Sequence, residues 1–207
     1  MILLKTIIVI VSSYLIGSIT TGVIVAHFKK VDLRSQGSGN VGATNTFRVM
    51  GSFYAAVVLI GDILKGVVAV LLGKLVGITY GFDFAVLTGI LAIVGHNWPI
   101  FSGFKGGKGI ATSLGVLIAL TPYSLLVVIP LWLLFFVLFG YVSLASIIAA
   151  LSYPISVFFF YQNDLFKIVF ATAICIMAVY RHKANIIRLF KGEEHRILYQ
   201  KKEVSNK

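Results

Sequence analysis

Apolar residues occupy most of the chain in long blocks that carry few charges and are separated by short polar segments. A helix needs about 20 apolar residues to cross a bilayer, so these blocks predict membrane-spanning helices. The predicted spans cover residues 2–28, 53–75, 84–101, 110–120, 124–139, 142–160 and 166–180. The pattern therefore predicts an all-α integral membrane protein with seven transmembrane helices.

Two of these spans need a separate argument. The stretch from residue 110 to 139 is long for one crossing, and Thr121-Pro122 interrupts it, because proline disfavours the helical conformation in the residue before it. The first block resembles a secretory signal with its early Lys5, but it continues through Ala26 without an obvious small-residue cleavage site. We therefore predict two short spans within residues 110–139, and a first span that stays in the protein instead of being cleaved.

The charged residues indicate how the spans are oriented. Apolar residues make up 58% of the chain, and 18 Lys and Arg outnumber 7 acids to give a net charge of +11. Such an excess would suit nucleic acid, but these cations lie beside the ends of apolar blocks, where they mark cytoplasmic loops. With seven spans the loops at 28–52 and 102–109 share one side with the tail from residue 181, whereas six spans would leave the basic tail outside. We expect an outer N-terminus, a cytoplasmic C-terminus, one domain over residues 1–207 and no nucleic-acid partner.

The polar segment 34–48 has the composition of an anion-binding loop. Gly37, Gly39 and Gly42 allow backbone amides to point inward together. Side-chain donors follow at Ser38, Asn40, Thr44, Asn45 and Arg48. The glycine spacing matches the dinucleotide fingerprint, but that motif has meaning only between a strand and a helix, and no such unit is predicted here. The alternative is that the glycines merely permit a tight connection.

The polar segment 95–109 also suits a phosphate. It contains His96, Gly103, Lys105, Gly106, Gly107, Lys108 and Gly109. It lacks the first glycine and the final Ser or Thr of a P-loop, so nucleotide binding is not supported. Glycines still let the backbone approach a phosphate, and a helix beginning near Ile110 would direct its positive end at this loop. Alternatively, both lysines are anchors at the lipid headgroups, and His96 is either a proton acceptor or a structural donor.

The polar segment 180–194 follows the last span. If the helix continues past the membrane, His182, Asn185 and Arg188 share one face. Such a stripe is usually only solvated, but His182 and Asn185 are uncharged hydrogen-bonding groups that anchoring does not need. Within the second span, Asp62 and Lys65 form either a structural pair or part of a substrate site. The histidines are too scattered for a metal site, so no metal is expected.

The three segments resemble those of a known family. GSGNVGATN with Arg48 nearby, GHNWPIFSGFKGGKG and HKANIIRLFKGEE are similar to the three cytoplasmic motifs of the acyl-phosphate:glycerol-3-phosphate acyltransferases, the PlsY family of bacterial phospholipid synthesis. The motifs occur in the same order, and the size and span count agree over essentially the whole chain. The resemblance implies transfer of a fatty acyl group from acyl phosphate to the sn-1 hydroxyl of glycerol 3-phosphate, giving lysophosphatidic acid and phosphate. It also implies a bacterial inner-membrane location with a cytoplasmic active site.

The resemblance implies functional residues in each motif, and the residue types themselves suggest further candidates. It implies Ser38, Asn40 and Arg48 in the first motif, Gly103, Gly106, Gly107, Lys108 and Gly109 in the second, and His182, Asn185 and Glu193 in the third. The candidate catalytic residues are Ser38, Asn40, Arg48, His182 and Asn185. The candidate substrate-binding residues are Gly39, Thr44, Asn45, His96, Lys105, Gly106, Gly107, Lys108, Gly109, Arg188 and Glu193. Acyl phosphate has a good leaving group, so no covalent nucleophile and no cofactor are expected, and the base is either a histidine or the substrate's own phosphate. The expected partners are the two substrates and membrane lipid.

The alternative function is that of a membrane transporter for a phosphorylated solute. Transporters commonly hold their ligand near the bilayer midplane, at repeated broken helices. In this chain the predicted ligand groups gather at one end of the spans. The sequence therefore favours the acyltransferase over the transporter.

Overall fold

Helices account for nearly all the regular structure in the computed structural model, which describes residues 2–79 and 82–198. The helices are α1 (Ile2–Ser18), α2 (Thr21–Phe28), α3 (Ala43–Met50), α4 (Ser52–Val76), α5 (Phe84–Asn97), α6 (Ile110–Leu120), α7 (Leu125–Phe139), α8 (Val142–Phe160), α9 (Leu165–Arg181) and α10 (Lys183–Phe190). Short 3-10 turns occupy Ile100–Ser102 and Pro122–Ser124. The strands β1 (Ile78–Thr79) and β2 (Phe82–Asp83) pair antiparallel, with Ile78 opposite Asp83. In the part of the chain that the structure describes, this short ladder is the one departure from all-α architecture.

The helices fall on the predicted apolar blocks. The segments long and apolar enough to cross a membrane are Ser52–Val76, Phe84–Ser102, Pro122–Phe139 and Val142–Phe160. The pairs α1 with α2 and α9 with α10 also pass that test together, but they are bent by 46° and 57°. Helix α6 is apolar and shorter. The chain is therefore a helical, multi-pass membrane protein.

One break between helices follows from local sequence and another does not. Helix α6 ends at Leu120 and a 3-10 turn begins at Pro122, as the Thr121-Pro122 pair predicts. The first predicted span is instead broken after Ser18, and within the break the carbonyl of Ile19 accepts a hydrogen bond from Lys65 Nζ at 2.9 Å. Hydropathy does not reveal this break, because the group that satisfies the freed carbonyl lies on another helix.

Small residues let the first helices approach closely. Helix α1 packs on α5, and α4 packs on both α5 and α6. A Cβ atom at Gly17 would lie 2.3 Å from the carbonyl oxygen of Ala92, and one at Gly66 would lie 2.3 Å from that of Thr112. Such glycine contacts are typical of helix interfaces in membranes, where close backbone packing replaces hydrophobic burial.

The remaining long helices complete the bundle. Helix α8 packs against both α7 and α9. A buried apolar cluster joins α4, α5 and α6 to these three helices and includes Val70, Val116, Tyr153 and Phe170. On the outside, large apolar side chains such as Leu126 and Phe159 are 68% and 70% exposed, which suits contact with lipid.

Candidate active site

The three polar segments meet at one end of the bundle. The Arg34 guanidinium donates to the carbonyl of Lys105 at 2.9 Å, which joins the first segment to the second. Arg181 Nε donates to the carbonyl of Gly107 at 3.0 Å, which joins the third to the second. A cavity of about 410 Å³ begins between the segments and continues among α6, α7, α8 and α9. Polar residues at its mouth include Ser38, Asn40, Thr44, Asn45, Arg48, Lys108, Ser143, His182, Asn185 and Glu194, and mostly apolar residues line the rest.

Asn45 shapes the first loop. Its side chain is buried, and its Oδ1 accepts the backbone N–H of Ser38 at 2.8 Å. Its Nδ2 donates to the carbonyls of Leu33 and Gln36, each at 3.0 Å. Because a Cβ at Gly37 would lie 2.2 Å from Asn45 Oδ1, glycine is required there. The amide of Asn45 is thus committed to the loop and positions Ser38 at the cavity.

The start of α3 also faces the cavity. Gly42, Ala43 and Thr44 line it, and the backbone N–H of Gly42 donates to Asn40 Oδ1 at 2.8 Å. The first amides of a helix carry partial positive charge, so this end favours an anion. The arrangement agrees with an anion-binding function for the 34–48 segment.

The glycines of the second loop allow close contact with α5. The backbone N–H of Gly107 donates to the carbonyl of His96 at 3.2 Å, and a Cβ at Gly107 would lie 2.2 Å from His96 Nε2. The carbonyl of Gly106 accepts from Arg181 Nη2 at 3.1 Å. Gly109 has a left-handed φ of 80° and begins α6. These contacts fix the backbone from which the Lys108 side chain enters the cavity.

Lys108 ends in a hydrogen-bonded chain that leads to Glu194. Lys108 Nζ donates to Asn185 Oδ1 at 2.6 Å, and Asn185 Nδ2 donates to Glu194 Oε1 at 2.7 Å. Ser143 Oγ also donates to Glu194 Oε1 at 2.9 Å, while Arg188 Nε donates to Glu194 Oε2 at 2.8 Å. The Glu194 carboxylate therefore connects Ser143 of α8 with Asn185 and Arg188 of α10. Through Asn185 it also holds Lys108 of the second loop.

Positive charge exceeds negative charge at this mouth. Burial and the neighbouring arginines lower the pKa of Lys108 to about 8, although Glu194 opposes the shift. Burial opposes ionisation of Glu194, but hydrogen bonds from Asn185, Ser143 and Arg188 lower its pKa. Burial lowers the pKa of Arg48, whose Nε is buried without a hydrogen-bond partner. Among the residues that the structure describes, Arg48, Lys108 and Arg188 share one nearby carboxylate, that of Glu194, so the mouth favours an added anion.

His182 lies at the bend between α9 and α10. It is 2% exposed, and its Nδ1 lies 2.8 Å from the carbonyl oxygen of Ala178. Since a carbonyl cannot donate, we assign the proton to Nδ1, which leaves Nε2 as the ring's acceptor. His182 lines the cavity and is thus suited to accept a hydrogen bond from a hydroxyl.

Asp62, Lys65 and His96 form a buried cluster beneath the second loop. Lys65 Nζ lies 2.9 Å from both Asp62 Oδ1 and His96 Nδ1. Asp62 Oδ1 also accepts from Thr21 Oγ1 at 3.1 Å. The expected Asp62 and Lys65 pair is therefore present and includes His96. Through His96 it supports the Gly107 backbone, and Asp62 and His96 both reach the cavity wall.

The structure brings most of the candidate residues together. Those that line the cavity are Ser38, Asn40, Thr44, Asn45, Arg48, His96, Lys108, Gly109, His182 and Asn185. Gly106, Gly107 and Arg188 lie immediately behind this lining, in the contacts described above. Gly39, Lys105 and Glu193 do not line it, and the latter two are exposed.

Sequence reasoning missed three residues. Glu194, not Glu193, is directed inward, because the chain turns at Gly192 with a left-handed φ of 71° after α10. The adjacent pair of Glu193 and Glu194 indicated that a carboxylate is used at the site, but it did not indicate which of the two. Ser143 and Arg181 carried no signal, since one resembles other small residues of a span and the other resembles a topology-determining cation.

The His-x4-Asp spacing used by another class of glycerolipid acyltransferases occurs once in the chain, at His27 and Asp32. Both residues are exposed, and neither lines the cavity. Asp32 Oδ1 instead accepts the backbone N–H of Arg34 at 2.9 Å, within a local turn. The spacing is therefore not part of this site.

A cationic mouth above an apolar cavity, within a bundle of membrane helices, defines a membrane protein that handles an amphiphilic anion. The family model described as glycerol-3-phosphate acyltransferase matches residues 7–192, and the chain belongs to that family. The glycerol-3-phosphate acyltransferase of Desulforudis audaxviator is 47% identical over 96% of this chain and 98% of its own. That of Aquifex aeolicus is 42% identical over 93% of this chain and 100% of its own.

Two solved structures share this fold. A crystal structure of PlsY (YgiH), an integral membrane glycerol 3-phosphate acyltransferase, in its glycerol 3-phosphate form has a TM-score of 0.87 and 40% identity, covering 94% of this chain and 99% of that one. The lysophosphatidic acid form of PlsY has a TM-score of 0.83 and 40% identity, covering 92% and 94%. The predicted PlsY-family resemblance is confirmed, as is the prediction of an enzyme, and the transporter alternative is not favoured.

Proposed function

We propose that this glycerol-3-phosphate acyltransferase takes its acyl group from acyl phosphate, transfers it to the sn-1 hydroxyl of glycerol 3-phosphate, and releases lysophosphatidic acid and phosphate. The observation that carries the proposal is the cationic cluster of Arg48, Lys108 and Arg188 at the mouth of an apolar cavity. Both substrates carry a phosphate, and the donor also carries a hydrocarbon chain. The mouth suits the phosphates, and the cavity suits the chain.

The reaction needs orientation and charge stabilisation more than it needs a nucleophilic side chain. The hydroxyl oxygen of glycerol 3-phosphate attacks the carbonyl carbon, and the bond from that carbon to the phosphate oxygen breaks. The hydroxyl proton ends on the released phosphate, either directly or after passing through a protein acceptor. Fixed cations and loop amides stabilise the negative charge that develops, without reorganising during the reaction.

Individual roles follow from the contacts around the mouth. Arg48 and Lys108 neutralise substrate phosphate, and the amides that begin α3 and α6 add partial positive charge. Ser38 and Asn40 orient the reacting groups from the first loop. Asn185 fixes Lys108, and the acceptor Nε2 of His182 is placed to bind the hydroxyl that attacks. Gly106, Gly107 and Gly109 act through the backbone, and Asn45 acts by holding the loop.

Three candidates take indirect roles in this proposal. Gly39 has a left-handed φ of 70°, and its N–H donates to the carbonyl of Gln36, so it supports the loop rather than the ligand. Lys105 and Glu193 are exposed near the mouth and are proposed only to attract or orient substrate outside the cavity.

We also propose seven spans in a single domain over residues 1–207, with the mouth of the cavity on the cytoplasmic side of the bacterial inner membrane. Four long segments and two bent pairs are candidate spans, and the shorter apolar helix α6 would be the seventh. The basic loops and tail lie at the end that carries the mouth, as expected for cytoplasmic segments. In a Cys175→Ala background, a cysteine at Lys191 should be shielded from an impermeant label outside the cell, whereas one at Asn163 should react. The reverse pattern would contradict this orientation.

The function is tested with purified protein, acyl phosphate and labelled glycerol 3-phosphate. We expect lysophosphatidic acid and phosphate to appear in equal amounts. Arg48→Gln should reduce kcat/KM by about tenfold or more, since it removes a charge-assisted contact, while the exposed control Lys191→Gln should stay close to the original protein. Failure to form lysophosphatidic acid would refute the proposal, and equal effects of the two substitutions would refute the cluster's role.

A further inference from the structure

Four helices close the inner end of the cavity. Leu117 of α6, Val128 of α7, Tyr153 of α8 and Ile174 of α9 all line the cavity, and their exposures range from 2% to 9%. All four belong to the packed apolar cluster in the centre of the bundle. We call these four residues the floor of the cavity.

Tyr153 is the floor residue whose position is most firmly fixed. Its hydroxyl lies 3.0 Å from Oγ1 of Thr121, the residue that follows α6, and Thr121 is fully buried. Its ring packs edge-on against Phe170, with centroids 6.2 Å apart and an interplanar angle of 89°. A ring held both by a hydrogen bond to its hydroxyl and by a packed neighbouring ring does not move aside readily.

Helix α8 forms one wall of the cavity from the mouth to the floor. Ser143, which bonds Glu194 at the mouth, is followed along this wall by Ser146, Ala149 and Ala150. These small side chains leave space, and Tyr153 is the first bulky one along that face of α8. From residue 143 to residue 153 the helix rises ~15 Å. An extended chain with C–C bonds of ~1.5 Å advances ~1.25 Å per carbon along its zigzag, so that length holds about a dozen carbons.

We propose that Tyr153, held in place by Thr121, sets the longest acyl chain that the cavity accepts. The proposal rests on the proposed function, in which the chain enters this cavity as an acyl phosphate. A chain whose terminal methyl reaches the ring must break the contact between Tyr153 and Thr121 or bend away from the floor. In a filled apolar pocket, one extra methylene changes discrimination by about 10- to 200-fold.

The test measures kcat/KM with glycerol 3-phosphate for acyl phosphates from octanoyl to stearoyl, so that shifts in either direction can be seen. The unaltered protein should lose at least about tenfold at the first chain longer than its optimum. Tyr153→Ala should move the optimum to a longer chain. Tyr153→Phe keeps the ring but loses the bond to Thr121, so it should keep the optimum and discriminate less strongly against the next longer chain. Ile155→Ala is the matched control on α8, because Ile155 is 59% exposed on the outer surface, and it should leave the profile unchanged.

A second variant covers the case in which Tyr153→Ala does not fold. Val128→Phe adds volume to the same floor and should move the optimum to a shorter chain. If the folded variants keep the original ranking of chains, the proposal is wrong, and the chain leaves the cavity sideways past Leu133, which lines the cavity and is 50% exposed. If the unaltered protein makes no lysophosphatidic acid from any chain, the acyl phosphate donor is refuted, and this proposal is refuted with it.

Discussion

Replacing Lys108 with glutamine removes one positive charge from the mouth of the cavity and leaves a polar side chain that can still donate a hydrogen bond. Lys108 Nζ donates to Asn185 Oδ1 at 2.6 Å, and within residues 2–79 and 82–198 no carboxylate contacts it directly. A charge-assisted hydrogen bond to a phosphate contributes about 1.5–3 kcal/mol. Its loss corresponds to a decrease of about 10- to 150-fold in kcat/KM for glycerol 3-phosphate.

The pH profile separates this charge from a general loss of structure. Burial lowers the pKa of Lys108 to about 8, so the ammonium is present below that pH and is lost above it. Because kcat/KM reports the ionisations of the free enzyme, the unaltered protein should lose activity above about pH 8, by up to tenfold per pH unit. Lys108→Gln should be lower throughout and should lack this alkaline decrease.

Lys105→Gln is the matched control, since Lys105 lies three residues away and is exposed. Its described hydrogen bonds involve only the backbone, since the N–H donates to the carbonyl of Ser102 and the carbonyl accepts from Arg34, and the substitution leaves both groups in place. Both variants should be assayed with saturating acyl phosphate while glycerol 3-phosphate is varied. Equal losses in the two variants, or an unchanged alkaline decrease in Lys108→Gln, would refute the assignment of Lys108 to the phosphate.

The remaining predictions concern the groups that support the mouth. Asn45→Ala removes three hydrogen bonds from the first loop and should lower stability by about 2 kcal/mol or more, with a higher KM; an unchanged Tm in detergent would contradict this. Lys65→Met leaves Asp62 as an unpaired buried charge and should lower the free energy of unfolding by about 3–5 kcal/mol. Adding Asp62→Asn should restore part of that stability. A double variant as unstable as Lys65→Met alone would count against the pairing. Glu194→Gln should reduce kcat/KM by about tenfold or more, because Arg188 and Asn185 lose the carboxylate that they share. Glu193→Gln should be nearly neutral. A larger loss in Glu193→Gln than in Glu194→Gln would show that the turn at Gly192 directs the other carboxylate inward.

The apolar pattern predicted the fold well because each membrane helix satisfies its own backbone hydrogen bonds. The break at Thr121-Pro122 was visible for a local reason, since proline acts on the residue before it. The break after Ser18 was not visible, because the carbonyl of Ile19 is satisfied by Lys65 from another helix. Periodicity reports local preferences, and that break depends on a contact between residues far apart in the chain.

In the site, too, local residue types predicted some features, whereas others depend on the folded arrangement of the chain. Loops rich in glycine and hydrogen-bonding side chains were predictable as an anion site from residue types alone. The role of Asn45 was not, because an amide that binds substrate and an amide that holds a loop have the same sequence signal. The choice of Glu194 over Glu193 depends on one left-handed residue, Gly192, and on the bend at His182. Neither angle can be deduced from the composition of the segment.

The most direct test of the central claim compares acyl donors. Purified protein would be given glycerol 3-phosphate together with acyl phosphate, acyl-CoA or acylated acyl carrier protein in separate reactions. Lysophosphatidic acid would be quantified in each. A mouth built to hold two phosphates predicts product from acyl phosphate and none from the two thioesters. Product from a thioester with none from acyl phosphate would contradict the account.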